Sequence, residues 1–90
     1  MTQAIVNPRE VRQFASNLKQ FDAELQGNMA RLQAQYHRLG DTWRDQEHAR
    51  FAQEFEQTMR VLQRFIQVTE EHIPFLLRKA EAAEEYLRRR

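Results

Sequence analysis

The apolar residues in the first forty positions recur at steps of three and four, which places them along one stripe of an α-helix. The stripe contains Val11, Phe14, Leu18, Phe21, Leu25, Met29, Leu32, Tyr36 and Leu39. A stripe this narrow covers about one partner helix. A helix start lies just before this stripe. Asn7 can cap the free amides, Pro8 presets the first turn, and Glu10 completes a capping box. These patterns predict a first helix over residues 8–39.

A second helix follows after a short turn. Gly40 can end the first helix in a left-handed conformation, and Thr42 with Asp45 fits a capping box that begins with threonine. The turn is then limited to residues 40–41, and the second helix is expected over about 42–88. Helices joined by so short a turn must run antiparallel as neighbours. Pro74 removes one backbone hydrogen bond, which predicts a kink or break near that residue.

The second helix carries a much wider apolar face. Its central positions are Phe51, Phe55, Met59, Leu62, Ile66, Thr69, Ile73, Leu76, Ala80, Ala83 and Leu87, and the flanking positions are Val61, Phe65, Val68 and Phe75. One opposing helix cannot cover this surface, so the face requires a second partner. We therefore predict an all-α fold, a single domain of residues 1–90 that forms an antiparallel two-helix hairpin and assembles as a dimeric four-helix bundle. The predicted dimer or partner interface is Phe51, Phe55, Val61, Leu62, Phe65, Val68, Phe75 and Leu76.

A turn at residues 40–41 also predicts which positions of the two helices meet. It pairs Leu32 with Phe51, Leu25 with Met59, Leu18 with Phe65 and Phe14 with Thr69, and it places Pro8 opposite Pro74. The segment from Phe75 onward should then project beyond the first helix. Its apolar residues Phe75, Leu76, Ala80, Ala83 and Leu87 would be uncovered, apart from the part that Ile5 and Val6 could reach.

Composition and charge narrow the classes of function. Hydrophobic residues make up 41% and charged residues 30% of the chain, which is typical of folded amphipathic helices. A formal charge of +1 argues against a protein built to grip nucleic acid or an anionic membrane. The sequence shows neither the apolar core of a signal peptide nor a membrane span. We expect a cytoplasmic protein, with any secretion following a route that uses no cleaved signal peptide.

Candidate catalytic and metal-binding residues are few. His37 and Asp41 are separated by the turn, and Asp45 with His48 supplies only half of the spacing used in di-iron bundles. The seam positions that such a site needs are occupied by Phe, Met and Leu. We therefore expect no enzyme, no catalytic residue, no metal, no cofactor and no small-molecule substrate.

The chain ends in a basic cluster of Tyr86, Arg88, Arg89 and Arg90. Cations at the C-terminus of a helix stabilise its dipole, which accounts for the arginines without a ligand. The alternative is a contact with a phosphate or an acidic partner. Nucleic-acid binding through the same arginines is a further alternative, and it predicts an affinity that falls steeply with salt.

The predicted bend comprises Leu39, Gly40, Asp41, Thr42, Trp43 and Asp45. Trp43, Phe51 and Phe55 lie on one helical line, at multiples of four residues. Leu39, Trp43 and a phenylalanine eight residues after the tryptophan resemble the central motif of the WXG family of early-secreted-antigen-like proteins. The resemblance implies two long helices around a Trp-x-Gly bend, a homodimeric or heterodimeric four-helix assembly, and type VII (ESX) secretion.

The chain departs from the family pattern at two positions. Asp45 stands where the motif has glycine, so we expect Gly40 to supply the turn and Asp45 to be an acid favoured by the helix start. The family's C-terminal Tyr-x-x-x-Asp/Glu signal is not matched, because Arg90 stands four residues after Tyr86.

The leading hypothesis is a protein–protein interaction module, a homodimer or a heterodimer with a paralogue, that is a type VII secretion substrate or the partner of one. A larger protein partner is also compatible with this hypothesis. The alternative is a cytoplasmic adaptor or chaperone-like coiled coil that docks a larger protein through its C-terminal segment.

Overall fold

The structure is a computed structural model that describes residues 6–89, which form two long helices. Helix α1 is Pro8–Leu39 and helix α2 is Gln46–Arg88. Arg12 near the start of α1 contacts Glu84 near the end of α2, whereas Tyr36 packs on Phe51 at the other end. The helices are therefore antiparallel, and the predicted all-α hairpin is confirmed over the described residues. The hairpin measures 67 × 26 × 15 Å, so it is little more than one helix thick.

The start of α1 is fixed by Asn7. Its side-chain oxygen accepts hydrogen bonds from the backbone N–H groups of Arg9, at 2.9 Å, and Glu10, at 3.4 Å. Pro8 occupies the first turn, where the missing N–H costs no hydrogen bond. Local sequence alone thus determines where α1 begins.

The core of the hairpin is a single line of side chains between the two helices. Met29, Met59 and Ile66 are buried at its centre, and Leu25, Phe55 and Leu62 pack against them. Toward the open end, Ala15 and Ala80 are almost completely buried. Small residues at these two positions let the helices approach closely.

The bend is longer than predicted, because α2 begins at Gln46 and residues 40–45 lie between the helices. Gly40 is not left-handed: it has φ −64° and ψ −15°, and its N–H bonds back to the carbonyls of Tyr36 and His37. Thr42 is not the cap of α2. Its N–H and that of Trp43 still bond to Leu39, at 3.1 and 2.8 Å, so the backbone of α1 continues to coil past its formal end.

The longer bend changes which residues face each other. Phe65 contacts Phe21, with ring centroids 5.9 Å apart, and Thr69 bonds to Asp22. The predicted pairings placed Leu18 and Phe14 at these positions, three and eight residues nearer the N-terminus. Those two pairings were wrong. The longer bend accounts for part of the shift, because the chain uses six residues where the pairings assumed two.

The shifted register also covers most of the predicted overhang. α1 extends along α2 as far as Glu84, Ala80 is fully buried, and Leu76 lines a surface cleft with Val6 and Val11. Phe75 and Leu87 stay exposed. The projecting C-terminal segment is therefore not present within the described residues. Ile5, which was expected to help cover it, lies outside them.

Helix α2 runs without interruption through Pro74, so the predicted break does not occur. Proline leaves the carbonyl of Glu70 without its intrahelical donor. Both residues lie on the exposed side of the helix, where water can bond to that carbonyl.

Asp22 is a charged residue inside the apolar line between the helices, with only 4% of its surface exposed. One carboxylate oxygen accepts a hydrogen bond from the Thr69 hydroxyl, and the other is buried without a partner. A buried carboxylate with so little compensation costs stability. The contact does, however, define one alignment of α1 against α2.

A second polar contact joins the open ends of the helices. Arg12 donates from Nε to Glu84 Oε2 at 2.8 Å and from Nη2 to Oε1 at 2.7 Å. This paired hydrogen bond with the guanidinium lowers the pKa of Glu84 below its ordinary value and raises the pKa of Arg12. Both side chains are exposed, so water screens the interaction.

We expect Thr69→Val to destabilise the hairpin by about 1–3 kcal/mol, because it removes the donor to a buried carboxylate. The double variant Asp22→Leu with Thr69→Val should recover most of this loss, since it also removes the group that needs the donor. Urea unfolding followed by circular dichroism measures both. A single Thr69→Val change with unaltered stability would show that the contact contributes nothing.

We expect Glu84→Gln to lower the melting temperature at neutral pH but not in acid. The folded-state pKa of Glu84 is depressed, so its carboxylate stabilises the fold above the unfolded-state pKa of about 4.3 and ceases to do so as pH falls through the lower folded value. Melting curves from pH 3 to pH 7 test this, with Glu56→Gln as an exposed control in the same helix. Equal melting temperatures for Glu84→Gln and wild type at neutral pH would contradict the prediction.

Candidate functional site: an apolar face and an aromatic bend

Large apolar side chains remain exposed on both helices of the hairpin, and together we call them the apolar face. It consists of Phe14, Phe21, Leu32 and Leu39 in α1 and Phe51, Val61, Phe65 and Phe75 in α2. Each of these side chains is between 41% and 61% exposed. Monomeric soluble proteins rarely leave a contiguous apolar surface of this kind uncovered.

The contributions of the two helices adjoin each other. Phe21 and Phe65 meet edge to face at 5.9 Å, so the exposed stripes of α1 and α2 share an edge there. Phe14 and Phe21 are seven residues apart, as are Leu32 and Leu39, and this spacing keeps them on nearly the same side of α1. The exposed residues of the two helices therefore meet at Phe21 and Phe65.

The predicted interface residues divide into two groups. Phe55 and Leu62 pack into the core of the hairpin, and Leu76 and Val68 are half-buried. Phe51, Val61, Phe65 and Phe75 are exposed. Arg78 lies over the ring of Phe75, with its guanidinium carbon 4.5 Å from the ring centre.

The exposed residues of α1 were not predicted to belong to this face. The expectation was that α2 would cover the whole stripe of α1. In the structure, Ala15, Asp22 and Met29 are the buried positions of α1, which turns Phe14 and Phe21 outward. Phe14 and Phe21 have the same seven-residue spacing as these three buried residues, so the spacing did not indicate which set faces α2.

A group of stacked rings closes the bend. Tyr36 stacks on His48 at 5.3 Å and on Phe55 at 4.7 Å, and Trp43 meets His48 edge to face at 4.9 Å. Phe51 lies 6.4 Å from Trp43 and links the group to the apolar face. Trp43 is half-buried and lies before the start of α2, so part of its ring remains accessible at the bend.

The backbone of the bend is held by side-chain contacts at both ends. Asp45 is the N-cap of α2, and its carboxylate accepts a hydrogen bond from the His48 N–H at 3.0 Å. Arg44 donates from Nε to the Gly40 carbonyl at 2.8 Å, and the Thr42 hydroxyl lies 3.5 Å from the Leu39 carbonyl. Asp41 donates its N–H to the Arg38 carbonyl at 3.1 Å. No described residue of the chain has a positive φ.

The C-terminal basic cluster is only partly available for a ligand. Arg88 and Arg89 both pair with Glu85 on their own helix, and the second of these contacts is 3.3 Å long. Tyr86 is exposed. Arg90 lies outside the described residues. Pairing with Glu85 fits the reading in which these arginines stabilise the end of the helix.

The grooves on the other side of the hairpin are shallow and have mixed polar and apolar linings. One groove of about 250 Å³ is lined by glutamines, with Met29 and Ile66 at its floor. Within residues 6–89, no group of three or more His, Asp or Glu side chains is arranged to hold a metal ion. The His72 ring nitrogen Nδ1 lies 2.8 Å from the Val68 carbonyl of its own helix. Over the same range, neither helix is long and apolar enough to cross a membrane.

The architecture defines a class: a small helical-hairpin protein whose bend is closed by a tryptophan and whose outer face is apolar. The WXG100 family, described as proteins of 100 residues with WXG, matches residues 3–86 of the chain. The chain belongs to this family. No curated protein matches the chain.

Solved structures of a bacterial secreted protein are similar over nearly the whole chain. The selenomethionine-labelled crystal structure of the secreted protein EsxB from Bacillus anthracis str. Sterne has a TM-score of 0.73 and 27% identity, covering 96% of this chain and 98% of that one. The wild-type structure of EsxB in space group P21 has the same TM-score and identity, with coverages of 93% and 97%. A mutant form gives 0.74 and 26%, with 96% of each chain covered.

The position of Asp45 explains how the chain departs from the family motif at the bend. The glycine of the Trp-x-Gly motif corresponds to Asp45, which is the N-cap of α2. Aspartate and glycine are both favoured at an N-cap, and aspartate also supplies an acceptor for a free amide. The substitution therefore keeps the local geometry.

We expect Asp45→Ala to destabilise the protein by about 0.5–2 kcal/mol through loss of this cap. Asp45→Gly, which restores the residue of the family motif, should cost only a few tenths of a kcal/mol. Urea unfolding measures both, with Asp41→Ala in the same bend as the control. Equal losses for the alanine and glycine variants would refute the capping role.

Proposed function

We propose that this protein is a non-enzymatic protein-binding module that pairs with a second helical hairpin through its apolar face, giving a dimeric four-helix bundle. We further propose that it travels through a type VII secretion system, as a substrate or as the partner of one. The second hairpin is a copy of this chain or a paralogue. The exposed apolar face is the observation that carries the pairing proposal.

The energetic argument rests on the size of that face. Burying a large apolar side chain is worth on the order of 1.5–3 kcal/mol relative to leaving it in water. Val61 and Phe75 are each 61% exposed, and Phe14 is 58% exposed. Covering these residues together with the rest of the face would offset the entropy lost when two chains associate. A hairpin 67 Å long also offers the extended surface that a stable interface needs.

Export is supported by family membership and by similarity to EsxB, which is described as a secreted protein. The acid of the family's C-terminal signal is replaced by Arg90. A partner that carries this signal would supply it if the two chains leave the cell together.

The alternative adaptor function has lost its structural support. It required a C-terminal segment that projects from the hairpin and docks a larger protein. This segment instead lies against α1: Ala80 is buried, and Glu84 accepts a hydrogen bond from Arg12.

We expect Val61→Glu to abolish pairing while leaving the hairpin folded, because Val61 is exposed and the change puts a charge on the apolar face. Gln63→Glu is the matched control, since it places the same group on the glutamine-lined side of the same helix. Light scattering reports the mass and circular dichroism the helix content. An unchanged dimer for Val61→Glu would contradict pairing through this face.

Export is tested separately in the native cells. The protein should appear in the culture medium of wild-type cells and stay inside cells whose type VII ATPase is inactivated. A cytoplasmic marker protein controls for lysis. Equal amounts of the protein in both media would refute the secretion route without bearing on the pairing.

A further inference from the structure

The centre of the hairpin core is built largely from methionine. Among residues 6–89, the buried residues with large apolar side chains are Met29, Met59 and Ile66, which form one cluster. The other buried apolar residues in this range are Ala15 and Ala80, which contribute little surface. The chain has no cysteine, so methionine provides all of its sulfur atoms. Two of the three side chains at the centre of the core are therefore open to oxidation at sulfur.

Both methionine side chains line grooves that open to solvent. Met29 lies in a groove of about 250 Å³, and Met59 lies in a second groove of about 260 Å³. Gln33 and Gln63 line both grooves, so the two grooves adjoin. Grooves of this size hold several water molecules. Hydrogen peroxide is polar and little larger than water, so it can approach the sulfur atoms by the same route.

The thinness of the hairpin is the reason that its core is reachable. The smallest dimension of the hairpin is 15 Å, so a single layer of two helices encloses the core. Met29 and Met59 retain 5% and 7% of their exposure, and the grooves lie on the side of the hairpin away from the apolar face. A partner on the apolar face would therefore leave both methionines accessible.

Peroxide oxidises a thioether by transferring one oxygen atom. A lone pair of the sulfur attacks one peroxide oxygen, and the O–O bond breaks. The proton of the transferred hydroxyl passes to the departing hydroxide, which leaves as water. The sulfur is oxidised to a sulfoxide by two electrons, and the peroxide is reduced. The reaction needs no ionised group of the protein, so a buried apolar position does not prevent it once peroxide arrives.

We propose that Met29 and Met59 are oxidation sites through which peroxide loosens the hairpin. A sulfoxide at either position is a polar group among Leu25, Phe55 and Leu62, whose side chains have no hydrogen-bond donor. Burying such a group without a donor is costly. If the sulfoxide turns toward the glutamine amides of the groove instead, it leaves a cavity in the core. The core loses packing in both cases.

The change is reversible, which makes the methionine pair a switch. Methionine sulfoxide reductases remove the oxygen, which leaves as water while two thiols are oxidised to a disulfide. The hairpin should then regain its packed core. The inference concerns the contact between α1 and α2 of one chain, so it goes beyond the proposed pairing and export and does not depend on either.

Treatment of the wild-type protein with hydrogen peroxide tests the proposal. Peptide mapping by mass spectrometry should place an added oxygen on both Met29 and Met59. The melting temperature followed by circular dichroism should fall by about 10 °C or more. Incubation with a methionine sulfoxide reductase and a dithiol should restore the original melting temperature.

Two variants separate the position of the sulfur from the chemistry of oxidation. Met29→Leu with Met59→Leu nearly conserves the apolar volume and should keep its melting temperature through the same treatment. Adding Gln53→Met to this double variant puts a thioether at an exposed position of α2. This triple variant should gain oxygen at residue 53 with an unchanged melting temperature.

Three results would overturn the proposal. The first is a wild-type protein that carries oxygen on both methionines and melts at its original temperature. The second is an equal loss of melting temperature in the double leucine variant. The third is an oxidation rate that rises with urea in proportion to the unfolded fraction, because peroxide would then reach the sulfur only in unfolded chains. None of these results bears on the pairing that Val61→Glu tests.

Discussion

Two helices side by side touch along only one line, and this limit governs the rest of the structure. The hairpin is 15 Å thick in its smallest dimension, so it has one layer where folded domains usually have at least two. Ala15, Ala80 and Ile66 are buried along its internal line of contact. The large rings of Phe14 and Phe75 stay outside. The exposed apolar side chains can thus be covered only by a second layer.

The sequence predicts the helices well because their signals are local. Asn7 and Pro8 determine where α1 begins, and the spacing of apolar residues determines which sides can be buried. The start of α2 is harder to predict, because Thr42 and Asp45 are both good caps and each has an apolar segment after it. In the structure Asp45 is the cap, and Trp43 and Tyr36 pack against His48. These contacts join residues of the bend, α1 and α2.

The register of the hairpin and the composition of the site could be predicted only in part. Apolar residues recur about every seven positions in both helices, so sliding one helix by two turns preserves the pattern of contacts. The exposed positions of α2, such as Val61 and Phe75, could be identified because they flank a wide face. Those of α1 could not, because the rotation of α1 depends on which of its residues, Phe14 or Ala15, faces the other helix.

The internal register of the hairpin depends on its polar contacts. The apolar residues alone would allow α1 to slide along α2 by two turns. We interpret the contacts of Asp22 with Thr69, and of Arg12 with Glu84, as the features that prevent such sliding. A buried aspartate with one unpaired oxygen is poor at stabilising a hairpin, but it can select one alignment among several that the apolar residues permit.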